Sequence, residues 1–189
     1  MNLKILGIDP APGKKSLIYD GNSFQALGYQ KLKRYIFSFK QPLLIAWDAP
    51  LGVDVEYSLT IKQIERELRK ELKPPRGISI LPFANCPHWT ISQFLFGLPS
   101  IHPEHKPFAT LITSFEQHIE EINLLEVHPA LSMWLWLKDE LPCMFNWRYK
   151  GIKSDLKSFL TIKQKLEEKV KVWDVSMSPA MLKYTTDAR

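Results

Sequence analysis

Three apolar runs in this chain end on an acid and then meet a proline within three residues. "LKILGID" closes on Asp9 before Pro10, "PLLIAWD" closes on Asp48 before Pro50, and "INLLEVHPALSMW" repeats the theme around Glu126 before Pro129, its strand read over "LLEVH" (124–128). Short apolar runs bounded by turn residues read as buried strands. An acid is a poor strand residue and costly to bury alone, so each carboxylate belongs at a strand tip. In open α/β sheets, sites gather at the carboxyl ends of the strands. Neighbouring strands of this kind would bring Asp9, Asp48 and Glu126 together. The repulsion among three such acids is offset by protons, basic partners or a divalent cation. Hard oxygen ligands suit Mg²⁺ or Mn²⁺, one ion or two, and a pair of such ions clamps an in-line phosphodiester displacement. Taken singly, Asp9 and Asp48 read equally well as turn or cap residues, and Glu126 as a paired structural acid.

The rest of the pattern alternates strands with helices. "KSLIYDGNSFQALGYQ" (15–30) reads as a hairpin, with Asp20, Gly21 and Asn22 in its turn. "KLKRYIFSF" (31–39) suits a short helix or an extended segment. Ile61, Ile64, Leu68 and Leu72 recur at helical spacing over 58–73, and Pro74 and Pro75 stop that helix. Half of the chain's 14 prolines fall between 74 and 107, which predicts an irregular excursion or lid with a short helix near "TISQFLF". "FATLITSFEQHIEEI" (108–122), "ALSMWLWL" (130–137) and "SDLKSFLTIKQKLEEKV" (154–170) read as helices, the last capped by Ser154. This order indicates an α/β sheet covered by helices.

Composition bounds the function. At 189 residues and 45% hydrophobic, the chain suits one domain with a substantial core. It contains no uninterrupted apolar run long enough to span a bilayer, so no membrane role is expected. Its N-terminal residues enter a strand pattern without the cationic, apolar and cleavage segments of a secretory signal. Cys86 and Cys143 have neither metal-ligand spacing nor disulfide density, and a cytoplasmic location is expected. The net charge of +5 is compatible with nucleic acid and equally with ordinary solubility charge.

Four segments in order, "GIDPAPGKKS", "IAWDAPLGV", "LLEVHPALSMW" and "YKGIKSDLKSFL", resemble the domain of unknown function family 429. Its members are described as predicted nucleases with a ribonuclease H-like fold. The "DAPLG" and "EVHPA" segments carry the likeness most specifically, and it runs from about residue 5 to the last residue. The resemblance implies a ribonuclease H-like mixed sheet flanked by helices over 1–189, with the proline-rich insertion after the second acid-bearing strand. It also implies a metal-dependent nuclease. Asp9, Asp48 and Glu126 fall on the family's metal-site carboxylates. His128 falls on the histidine of its "EvHP" segment and Lys150 on its basic position before Gly151, which makes both catalytic candidates here, and Asp187 falls where its late acidic helix opens. Ala130 stands where the family's "EvHPE" has its last acid.

The supporting residues have physical readings of their own. His128, two residues after Glu126 on the strand read over 124–128, shares its face, and imidazole suits phosphate orientation, proton transfer or metal ligation, or equally a hydrogen bond to the following turn. Lys14 and Lys15 follow the first strand as a phosphate-contacting pair, or as a solvated loop. In "NWRYKGIK", Arg148, Lys150 and Lys153 interleave with Trp147 and Tyr149, a composition that tracks a phosphate backbone. Trp134 and Trp136 lie in an apolar stretch and are expected in the core. His102 and His105 in "HPEH" lack the further ligands of a zinc site. Two other classes compete with the nuclease. One is a binding module that keeps the fold without the chemistry. The other is an actin-like-ATPase-type nucleotide binder, gripping phosphate with "GIDPAPGKKS".

Overall fold

The structure, a computed structural model, describes residues 3–51, 63–75, 78, 86–98, 107–112, 119–148 and 155–172. They gather into two compact units. The first holds a six-stranded mixed sheet and two helices. It comprises β1 (Lys4–Asp9), β2 (Ser16–Tyr19), β3 (Phe24–Leu27), α1 (Tyr29–Ile36) and β4 (Leu43–Trp47). The second unit begins with α2 (Gln63–Leu72), after which the chain returns to the first. There it adds α3 (Cys86–Phe96), β5 (Thr110–Leu111) and β6 (Ile122–Glu126). The second unit then resumes with α4 (Pro129–Leu137) and α5 (Leu156–Val172).

The sheet order is β3-β2-β1-β4-β6-β5. The first three strands form an antiparallel meander, while β4 runs parallel to β1, and β6 runs parallel to both β4 and β5. The hairpin forms where expected. Asp20 Oδ1 accepts the Asn22 and Ser23 amides, both at 2.9 Å, and Gly21 takes φ +95°. Burial pushes the Asp20 pKa up. The two amides and nearby Lys4 outweigh that and hold it below its ordinary value.

Period-two burial gives the sheet one apolar face. Leu6, Ile8, Ile18, Leu43, Ile45, Trp47 and Leu124 are buried in a single core. Helix α1 covers part of this core with Leu32 and Ile36, one helical turn apart. Helix α3 adds Ile91, Leu95 and Phe96. Phe96 meets the Trp47 ring edge-on at 5.1 Å, and Trp47 Nε1 donates to Ser92 Oγ at 2.7 Å. A buried indole N–H thus finds its partner on the covering helix. The helix within the proline-rich stretch thus forms part of the core.

The second unit packs Leu131, Trp134 and Leu137 of α4 against Ile162 of α5, with Trp147 and Ile78. Leu68 and Leu72 of α2 join them, one helical turn apart. Asp155 caps α5, accepting the Lys157 and Ser158 amides at 3.0 and 3.2 Å. Its side-chain bond from Ser158, first, and those amides lower its pKa. The expected cap, Ser154, lies outside the described residues.

Two expectations need correction. Residues 110–111 form β5 and residue 122 begins β6, so 108–122 is not one helix. Its apolar spacing suits a helix, but Thr110 and Leu111 pair with Asn123 and Leu124 instead, a tertiary outcome that local spacing does not encode. Trp136 is 47% exposed, whereas Trp134 is buried as expected. The two positions lie about 200° apart around α4, so both cannot face one core. Among the described residues, no helix is long and apolar enough to cross a membrane.

Candidate functional site

The carboxyl ends of β1, β4 and β6 lie side by side in the first unit. The ladder runs to their tips. The Asp48 N–H donates to the Ile8 carbonyl at 2.9 Å, and the Val127 N–H donates to the Trp47 carbonyl at 3.0 Å. Lys4 pairs with Leu43 and Ile8 with Trp47, so Asp9 and Asp48 occupy the next row of the same register. That row belongs to the face of Gly7 and Ala46, opposite the core side chains. Adjacent strands stand about 4.8 Å apart, so the two acids are neighbours. Asp9 is exposed and its carboxylate makes no hydrogen bond or ion pair among the described residues, and Asp48 is half-buried.

Glu126 sits differently. It pairs with Trp47, one row earlier than Asp48. Strand alternation therefore assigns it to the core face. Its Oε2 accepts the Leu51 N–H at 2.8 Å, and Gln93 Nε2 donates to the Leu51 carbonyl at 3.1 Å. Both backbone groups of Leu51 are thus satisfied by side chains, one from β6 and one from α3. With Ala49, Pro50 and Leu51 all buried, the segment that follows Asp48 is fixed rather than loose.

The turn after β1 completes this edge. The Lys14 N–H donates to the Ala11 carbonyl at 3.1 Å. Pro12 and Gly13 occupy the two central positions, and Gly13 has φ +69°, the signature of a type II turn. Ser16 Oγ, buried at the start of β2, accepts the Ala11 N–H at 3.1 Å. Lys14 and Lys15 are exposed on this turn. Beside it lies an apolar groove of about 770 Å³, lined by Ala11, Pro12, Lys14, Tyr29, Ile91 and Phe94 among others.

The remaining expected site residues belong to the second unit or lie outside the described residues. β6 ends at Glu126, and His128 is the N-cap residue of α4, half-buried, with no side-chain capping bond. It therefore does not share a strand face with Glu126, because the chain has already turned into the helix. Arg148 is half-buried and its N–H donates to Asn146 Oδ1 at 3.1 Å. Trp147 is buried in the second core, so it is not free to stack a base. Lys150, Lys153, Tyr149 and Asp187 lie outside the described residues, as do His102 and His105.

Mg²⁺ commonly binds through one or two carboxylates, keeping waters or substrate phosphate for the rest of its shell. The Asp9–Asp48 pair fits that mode. Among the described residues, no group of three or more His, Cys, Asp or Glu side chains lies close enough to hold a metal ion. The chain matches no family model, no curated protein and no solved structure.

Proposed function

We propose that this chain is a divalent-metal-dependent nuclease of ribonuclease H-like architecture that hydrolyses phosphodiester bonds in nucleic acid. The observation that carries the reading is the parallel pairing of β1 with β4, which aligns Asp9 and Asp48 on one face at the carboxyl ends of two central strands. The mixed sheet flanked by helices is in keeping with the architecture implied by the likeness of "DAPLG" and "EVHPA". Asp9 and Asp48 offer hard oxygens for Mg²⁺ or Mn²⁺. A bound ion supplies Lewis acidity and a water of lowered pKa. Lys14 and Lys15 neutralise an incoming phosphate at the neighbouring turn. Glu126 acts through the Leu51 amide, holding the segment that presents Asp48. His128, Arg148, Lys150, Lys153 and Asp187 remain candidates for orienting the phosphate or completing the ligand set.

The test is cleavage of labelled RNA, DNA and hybrid with and without Mg²⁺ or Mn²⁺. Cleavage should need the cation and be abolished by Asp9→Asn and by Asp48→Asn. Activity that is indifferent to both substitutions and to chelator overturns the proposal.

A second reading is a module that binds nucleic acid without cutting it. The commitment of the Glu126 carboxylate to the Leu51 amide favours it, because that leaves two aligned acids where a fuller site has three or more. It predicts binding that survives loss of Asp9 and Asp48, and no turnover.

A further inference from the structure

We infer that the groove beside the β1–β2 turn is a subsite for one nucleotide of a single-stranded nucleic acid, with the base held on aromatic and aliphatic walls and the adjoining phosphate at Lys14. The inference rests on the nuclease reading for its partner, and its chemistry comes from the groove. Ligand pockets run roughly 300–1,000 Å³ and are mostly apolar with a few polar groups. This one has about 770 Å³ and fits that description. One wall is the type II turn, Ala11 to Lys14, and another is Tyr29 at the start of α1. The third is the face of α3 bearing Thr90, Ile91 and Phe94, spaced three and four apart.

Phe94 is the informative residue. Its neighbours Ser92, Gln93, Leu95 and Phe96 are all buried, yet Phe94 is 54% exposed where the groove lies. A lone exposed aromatic is ordinary on a protein surface, but here it faces a concavity with a second aromatic, Tyr29. The Tyr29 hydroxyl has no hydrogen-bond partner among the described residues, which leaves it able to meet a base edge. Among the described residues lining the groove, Lys14 is the only charged one and none is a carboxylate. An apolar cleft with one cation suits a flat, neutral, π-bearing group attached to an anion, and a nucleotide unit has that form. Asp9 lies two residues before Ala11, so the groove adjoins the carboxylate pair in sequence and in the same unit. A duplex keeps its bases stacked and paired, so this cleft selects a single strand.

The experiment measures fluorescence anisotropy of a labelled twelve-nucleotide oligo-U and of a blunt RNA duplex, with wild type and variants in EDTA. Without divalent ions, binding is read apart from cleavage. Phe94→Ala should weaken single-strand binding about tenfold or more, as loss of one stacked base does, and leave duplex binding within about twofold. Phe94→Trp should restore it, and Lys14→Ala should flatten the salt dependence by about 0.7 in log–log slope. Because Phe94 is exposed, its truncation leaves the core intact, and unchanged circular dichroism checks this. Unaltered oligo-U affinity in Phe94→Ala overturns the subsite even if the protein cleaves RNA. Loss of oligo-U affinity in Phe94→Ala and its return in Phe94→Trp, in a protein that cleaves nothing, keeps the subsite and removes the nuclease reading.

Discussion

Replacing Glu126 separates two roles that sequence alone merges. Its carboxylate accepts the Leu51 N–H at 2.8 Å in a partly buried setting. A hydrogen bond to a charged group contributes about 1.5–3 kcal/mol, and losing the acceptor leaves a buried amide unsatisfied. Glu126→Ala should therefore cost about 2 kcal/mol. For a chain of this size that corresponds to roughly 4–8 °C in melting temperature. Glu126→Gln keeps an oxygen facing the amide and gives up only the charge assistance, so about half that loss is expected. Urea unfolding followed by tryptophan emission and by circular dichroism measures both, and a constant denaturant slope shows that the change is one of stability. The order wild type, then Gln, then Ala is the signature of an acceptor for a backbone donor. If Ala is as stable as wild type within about 0.5 kcal/mol, Leu51 is not held by Glu126 and the account of the segment after Asp48 fails.

Other consequences follow from single contacts. Trp47→Phe deletes the Nε1–Ser92 bond while keeping most of the ring, and should cost about 1–2 kcal/mol in the same assay; a loss under about 0.3 kcal/mol means that bond is not made in solution. The folded-state pKa of Asp20 is lowered, so its contribution is fully present above the unfolded value near 3.8 and fades as pH falls through the folded value. The urea midpoint of wild type should therefore drop more steeply below about pH 4 than that of Asp20→Asn; identical slopes contradict the hairpin assignment. Gly13→Ala forces a side chain into φ +69° and should cost about 1–2 kcal/mol, read as a lowered urea midpoint, although nothing lies within 4 Å of the added carbon; no cost would refute the type II turn.

Much of the framework was legible because it is written in local patterns. The three acid-tipped strands, the Asp20 hairpin, and the helices around 63–72, 129–137 and 156–172 follow from apolar period and turn chemistry. Strand register was not legible. Asp9 and Asp48 lie five residues beyond the paired Lys4 and Leu43, but Glu126 lies only four beyond Ile122, the partner of Leu43. That one-residue difference in parity sends Glu126 to the core face, and no apolar run encodes which residue of a neighbouring strand it will meet. β5 escaped for a related reason, since its two residues are strand only by pairing with β6. Phe94 escaped because an apolar helix gives no hint of which single aromatic will be left facing a groove.

The central claim is that Asp9 and Asp48, aligned by the β1–β4 register, hold the divalent cation while Glu126 holds the chain. Calorimetric titration of Mn²⁺ into wild type, Asp48→Asn and Glu126→Gln tests it most directly. The account predicts saturable binding in wild type, at least about tenfold weaker binding in Asp48→Asn, and a change under about threefold in Glu126→Gln. Unchanged Mn²⁺ affinity in Asp48→Asn, or its collapse in Glu126→Gln in a still-folded protein, would contradict it.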